Sequence, residues 1–191
     1  MQSSYELTVG KLKRTLPIIP INQTTAIASF VLLGDAELAH YAAIELTKRI
    51  TKPFDYFVTI ETKGIPLAEE MSRLAGRQHY VVLRKSEKLY MRNPMSIQVK
   101  SITTTNVQHL VLDATDADLI KGKRIILVDD VISTGGSLVA AEDLLNRAGA
   151  SVIGRYAILA EGDAGNRKDC DYLAQLPLFS LADVETDLGQ H

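Results

Sequence analysis

The sequence predicts an α/β protein in which helices flank a mostly parallel central sheet. Three observations carry that expectation. Short β-branched segments alternate with helical patterns, the most apolar segment runs without polar alternation, and Gly residues punctuate the junctions.

In chain order, Asp35 can cap a helix whose apolar stripe runs through Leu38, Tyr41 with Ala42, Leu46 and Ile50, close to a 3.6-residue period. The segment Asp55-Tyr-Phe-Val-Thr-Ile-Glu61 is rich in β-branched and aromatic residues and reads as a buried strand. It ends in the polar turn Glu61-Thr62-Lys63-Gly64. Pro66 suits the first turn of a helix over Leu67 to Ala75, stopped by Gly76, and a strand follows at His79 to Arg84. Lys85 to Thr105 mixes charged, polar and Pro residues, and reads as an extended excursion with one weak strand near Ile97 to Ile102.

A further strand is expected at Val107 to Leu112, after which Lys121-Gly122-Lys123 leads into Arg124-Ile-Ile-Leu-Val-Asp-Asp130. Its uninterrupted apolar run is that of a central parallel strand, covered on both faces. Gly135-Gly136 breaks the chain before a helix over Ser137 to Ala148, ended by Gly149, and the last clear strand is Ser151 to Leu159. The tails, 1–34 with Pro17 and Pro20 and 161–191 with Gly162, Gly165 and Pro177, are less regular. We expect them to form a small lobe over one edge of the sheet, with about 35–160 as the core of a single domain spanning 1–191.

Composition narrows the function classes. A 191-residue chain with 46% apolar and 23% charged residues matches a water-soluble globular domain, and no stretch reaches the roughly 20 apolar residues of a membrane span. A net charge of −2 with interspersed signs argues against broad binding to nucleic acid or to a membrane surface, and points to small-molecule partners. Met1 to Gly10 lacks the pattern of a secretory signal, and Cys170 is the only cysteine, so the expected compartment is the reducing cytoplasm. His40, His79, His109 and His191 are too scattered for a metal cluster or a catalytic triad.

The chemistry concentrates in Asp129 to Ser137. An apolar strand ending in two carboxylates, followed by Val131-Ile132-Ser133-Thr134-Gly135-Gly136-Ser137 and a helix, puts these groups at the carboxyl end of the sheet, where open α/β sheets bind ligands. The glycines let backbone N–H groups close on an anion, the hydroxyls add donors, and the helix contributes its positive end, which together make a phosphate cradle. Carboxylates beside a phosphate suit hydroxyls or a cation, so Asp129 and Asp130 fit a sugar diol and Mg²⁺. Neither Gly-x-x-x-x-Gly-Lys-Ser/Thr nor Gly-x-Gly-x-x-Gly occurs.

The run Ile125-Ile-Leu-Val-Asp-Asp-Val-Ile-Ser-Thr-Gly-Gly-Ser137 resembles the signature of the type I phosphoribosyltransferase family. The spacing of the other elements is similar to its adenine and xanthine branch from roughly Tyr5 to Leu181. The resemblance implies the type I phosphoribosyltransferase fold with a hood from the chain termini. It also implies transfer of phosphoribosyl from phosphoribosyl pyrophosphate (PRPP) to a free purine base, with Mg²⁺ and a homodimeric enzyme. Asp129 and Asp130 would bind the ribose hydroxyls, and Val131 to Ser137 would wrap the 5′-phosphate. Mg²⁺ would reach the two acids indirectly, through PRPP and water.

By the same resemblance, Glu61-Thr62-Lys63-Gly64 looks like the pyrophosphate loop. Arg84-Lys85 looks like the basic pair that offsets the departing pyrophosphate, with Lys88 as a further pyrophosphate ligand, and Lys88, Tyr90 and Arg92 lie in a segment resembling the flexible lid. Displacement of pyrophosphate through an oxocarbenium-like transition state needs no covalent nucleophile, so Asp129, Asp130, Lys85 and Arg84 are the expected catalytic groups. Base choice falls on Glu161, with apolar residues of the amino-terminal tail. Here the family's Glu-Leu or Glu-Lys pattern gives way to Ala160-Glu161-Gly162-Asp163 before Arg167. A carboxylate accepts, as from the exocyclic amine of adenine, whereas a lysine would suit the ring oxygens of an oxopurine. Adenine is therefore the expected base, with an oxopurine such as xanthine, or a PRPP-sensing regulator without turnover, as the alternatives.

Overall fold

The computed structural model describes residues 3–99 and 108–181. Five strands make the central sheet in the order β10-β9-β8-β4-β5, and every neighbouring pair is parallel. They are β4 (Tyr56–Ile60), β5 (Val81–Leu83), β8 (Arg124–Ile132), β9 (Ser151–Glu161) and β10 (Asp171–Leu176). Helices α1 (Ala36–Thr47) and α2 (Ile65–Leu74) cover one face, while α3 (Ala114–Ile120) and α4 (Gly136–Arg147) cover the other.

Strand β8 explains its own apolar run. Ile126 and Val128 join the cluster formed with Leu38, Leu46 and Met71, whereas Ile125 and Leu127 join the opposite one with Leu138 and Leu144. Alternate side chains enter different cores, so both sets must be apolar. The predicted strands and helices are present with shifted ends. β9 extends two residues beyond Leu159, β5 is only Val81–Leu83, and α2 begins at Ile65 with Pro66 in its first turn. Asp35 caps α1, its carboxylate accepting from the Leu38 N–H at 3.1 Å.

One expectation needs correction. The amino-terminal tail is regular: β1 (Ser4–Val9), β2 (Leu12–Pro20) and β3 (Thr25–Ala28) form an antiparallel sheet with β11 (Leu178–Ser180) from the other end of the chain. The prolines are tolerated because they stand at ladder ends: Pro17 closes the β1–β2 register and Pro20 closes β2. Helix α3 went unpredicted because it is short, Asp-rich and buries only Ile120, too little for a periodic signal. The excursion contains a hairpin, β6 (Met95–Val99) against β7 (Gln108–Leu112); the expected strand residues 100–102 and Val107 lie outside the described residues. Among the described residues, no helix is long and apolar enough to cross a membrane.

Candidate active site

Parallel strands deliver all their carboxyl ends to one edge of the sheet. There β4 hands over to the Glu61–Gly64 turn, β8 to the Ser133–Ser137 loop, and β9 ends at Glu161. A cleft of about 480 Å³ opens between this edge and the strand-to-loop segment Ile27–Val31 after β3. Asp129, Asp130, Ser133, Lys63, Lys85 and Glu161 all border it.

The two acids of β8 differ. Asp130 is buried, and Lys63 Nζ lies 3.3 Å from its Oδ2, an ion-pair distance without hydrogen-bond geometry, so that oxygen has no hydrogen-bond partner. Asp129 is partly exposed and borders the cleft; its Oδ1 accepts from the Asp130 N–H at 2.9 Å. Burial first, and then the neighbouring Asp130 charge, pushes the Asp129 carboxyl well above the usual carboxylate range. Two acids so placed invite a cation or hydroxyl donors.

The turn after β4 sits close under β8. The Glu61–Thr62 peptide bond is cis. At Gly64 a methyl group would lie 2.2 Å from Thr59 Oγ1 and 3.0 Å from Asp129 Oδ1, so this position has room only for hydrogen. Glu61 turns away from the turn's own peptide groups. Its carboxylate accepts from the Lys85 N–H at 2.8 Å and pairs with Arg84 at 3.2 Å. That backbone hydrogen bond, then Arg84, holds Glu61 below its ordinary pKa despite partial burial.

The loop after β8 builds a cradle. Gly135 adopts φ +81°, a left-handed conformation that glycine adopts without penalty, and caps α4. Ser133, Thr134 and Ser137 are exposed around it, while Ile132 is buried and packs into the core, leaving only its backbone for a ligand. The helix start adds its unpaired N–H groups and positive dipole end.

Some expected residues lie elsewhere. Arg84 does not border the cleft; its guanidinium faces Glu61 and donates to the Tyr90 hydroxyl at 2.9 Å. Lys88 is also outside it, with Nζ 2.7 Å from Ser86 Oγ, and the Arg92 N–H donates to Asp113. Conversely, His109 and Gln108 border the cleft though no motif marks them, because only the β6–β7 hairpin brings them there. Arg167 borders an adjoining cleft of about 630 Å³ with Thr134 and Glu161, and was missed because it lies thirty residues beyond the signature. Glu161 is half-buried, and burial raises its pKa, partly countered by Lys63. Among the described residues, no group of three or more His, Cys, Asp or Glu side chains is placed to hold a metal alone.

A family profile described as the phosphoribosyl transferase domain matches residues 34–176. A hypoxanthine/guanine phosphoribosyltransferase of Methanococcus voltae is 32% identical over 141 residues, covering 74% of this chain and 71% of that protein. An adenine phosphoribosyltransferase of Brucella ovis is 29% identical over 188 residues, covering 98% of this chain and 100% of that one. Among solved structures, the adenine phosphoribosyltransferase of Rhodothermus marinus superposes with a TM-score of 0.61 at 21% identity, covering 91% of this chain and 94% of that one. This last likeness is one of fold.

Proposed function

The chain belongs to the phosphoribosyl transferase family, and from that membership we propose that it transfers phosphoribosyl from PRPP to a free purine base, with adenine as the preferred base, giving AMP and pyrophosphate. The observation that carries the proposal is a single cleft that joins the Lys63–Asp130 pair, the Ser133–Ser137 loop, Glu161 and the amino-terminal strand sheet.

In this reading Asp129 and Asp130 accept hydrogen bonds from the two ribose hydroxyls, and the loop from Val131 to Ser137 holds the 5′-phosphate on backbone N–H groups and hydroxyls. Lys63 and Lys85 stand where pyrophosphate departs, with backbone donors of Thr62 and Gly64 between them. Glu61 acts from behind, ordering the start of the lid through Arg84 and Lys85. A purine ring nitrogen forms a bond to the anomeric carbon as the bond to pyrophosphate breaks, its electron pair leaving with pyrophosphate and the ring proton passing to water. The chain contributes orientation and fixed charge.

The donors present fit Mg²⁺: two carboxylates, one with a buried unpartnered oxygen, too few for a protein cage but suited to a cation that keeps water and takes substrate phosphates. Bound with PRPP, Mg²⁺ would neutralise charge on the leaving pyrophosphate. Glu161 supports adenine because a carboxylate can accept from its exocyclic amine. A hypoxanthine or guanine substrate is the second reading, favoured by the Methanococcus relative's name. A homodimer in the cytoplasm, with the strand sheet of the two termini as the base-side hood, completes the proposal.

The test is pure protein with Mg²⁺, PRPP and each purine base in turn, read as pyrophosphate release. Release with adenine far above hypoxanthine, guanine and xanthine is expected. Preference for an oxopurine would overturn the base assignment, and PRPP binding without release from any base would leave a sensor instead of an enzyme.

A further inference from the structure

The Ser133–Ser137 loop contains no basic residue, yet its surroundings are acidic: Asp129 and Asp130 precede it, and Glu161 and Asp163 border the adjoining cleft. Among the described residues, Arg167 is the one Lys, Arg or His that borders that cleft. Its guanidinium lies over the cradle. A methyl group on Gly135 would come within 2.1 Å of Arg167 Nη1.

The guanidinium is held by one edge only. Nε donates to Asp169 Oδ1 at 2.9 Å and Nη2 to Asp169 Oδ2 at 2.6 Å, a bidentate pair. Nη1, the nitrogen over Gly135, has no acceptor among the described residues. The platform beneath is firm as well. Arg167 closes the 3₁₀ turn Gly162–Asn166, its N–H donating to the Ala164 carbonyl at 3.1 Å, and Ala164 is buried. Within that turn the Gly165 carbonyl accepts from Tyr172 Oη at 2.6 Å and from Gln175 Nε2 at 3.2 Å. A cation fixed by its far edge, with free donors aimed at a loop of bare N–H groups, is an anion ligand prepared before the anion arrives.

The geometry points to Arg167 as a direct ligand of the phosphate held by Ser133–Ser137, with Asp169 as the residue that positions it. The inference rests on the sugar-phosphate reading of this loop given above. It assigns to a residue outside the signature a side-chain positive charge at the 5′-phosphate end, the one basic side chain among the described residues that borders the adjoining cleft, while Lys63 and Lys85 serve the pyrophosphate end.

That division of labour makes the test selective. The full chain and its Arg167→Gln, Arg167→Lys and Asp169→Asn variants are titrated calorimetrically with ribose 5-phosphate and, separately, with pyrophosphate and Mg²⁺. Arg167→Gln should weaken ribose 5-phosphate binding about tenfold or more, the scale of one charge-assisted hydrogen bond and its ion pairing, with pyrophosphate affinity unchanged. Arg167→Lys should recover part of the loss, and Asp169→Asn should show a smaller loss of the same selectivity. In turnover, the KM for PRPP should rise while that for the base stays put. Wild-type affinity of Arg167→Gln for ribose 5-phosphate, equal loss of both ligands, or a rise confined to the base KM would each overturn the assignment. If the unsubstituted protein binds neither probe, the sugar-phosphate reading itself falls, and this inference with it.

Discussion

Lys63 Nζ stands 3.3 Å from Asp130 Oδ2, so the turn after β4 and the acidic end of β8 meet as an ion pair in the cleft. The pair neutralises a buried carboxylate whose Oδ2 has no hydrogen-bond partner, and it keeps both groups where separate parts of one substrate would engage them. Asp130→Asn keeps the shape and removes the charge. Loss of a charge-assisted hydrogen bond to a ribose hydroxyl should lower kcat/KM for PRPP by roughly 10- to 100-fold, with circular dichroism unchanged. Unaltered activity would show that the ribose site lies elsewhere.

Gly64→Ala should destabilise the protein by about 1–3 kcal/mol, the range for overpacking, because the new methyl meets Thr59 Oγ1 and the Asp129 carboxylate. The same push should displace Asp129 and lower turnover. Urea denaturation with parallel assays checks both; a fully active, equally stable variant would mean the turn does not rest on β8 in solution.

Glu161 predicts a pH effect. Burial raises its pKa, so the carboxylate that accepts from adenine is lost, as pH falls, sooner than for an exposed glutamate. The Glu161 contribution to the acid limb of kcat/KM for adenine should therefore lie at higher pH than that of an exposed glutamate. Glu161→Gln should change that limb by removing the Glu161 contribution, leaving the one from Asp129, and should lower adenine kcat/KM about tenfold, since an amide presents a weaker acceptor and an added donor. An identical pH profile in the variant would remove Glu161 from base recognition.

Arg14 links β2 to the start of α1, donating from Nη2 to Asp35 Oδ1 at 2.9 Å, while Asp35 caps the helix. The Arg14 hydrogen bond, despite some burial, holds the Asp35 carboxyl below its ordinary pKa. A depressed folded-state pKa contributes stability that is present above the unfolded value of about 3.9 and is lost as pH falls through the lower, folded one. Arg14→Gln should cost about 1 kcal/mol at neutral pH and flatten the loss of stability at acid pH. Denaturant titrations at neutral and acid pH test this, and parallel curves for the two proteins would refute it.

Legibility followed local chemistry. The signature from Ile125 to Ser137 was readable because a buried parallel strand, a glycine-rich turn and a helix start each impose residue types on adjacent positions. The Glu61–Gly64 turn was readable for the same reason. Arg84 was not: a basic residue at a strand end looks like a ligand, but whether it faces the cleft or Glu61 depends on rotamer and neighbours. Arg167 escaped for the converse reason, since its partner Asp169 is local but the loop it covers is thirty residues away.

By itself, then, the sequence determined the strand–helix alternation, the parallel core and the acidic, glycine-rich loop at the carboxyl end of β8, because these follow from periodicity and backbone preference within short windows. Tertiary structure alone decided that the two ends of the chain pair as β1-β2-β3-β11, that the β6–β7 hairpin brings Gln108 and His109 to the cleft, and that Arg167 covers Gly135. Those contacts join residues far apart in the chain, and their geometry is set by how whole elements pack. No local pattern of side chains encodes it.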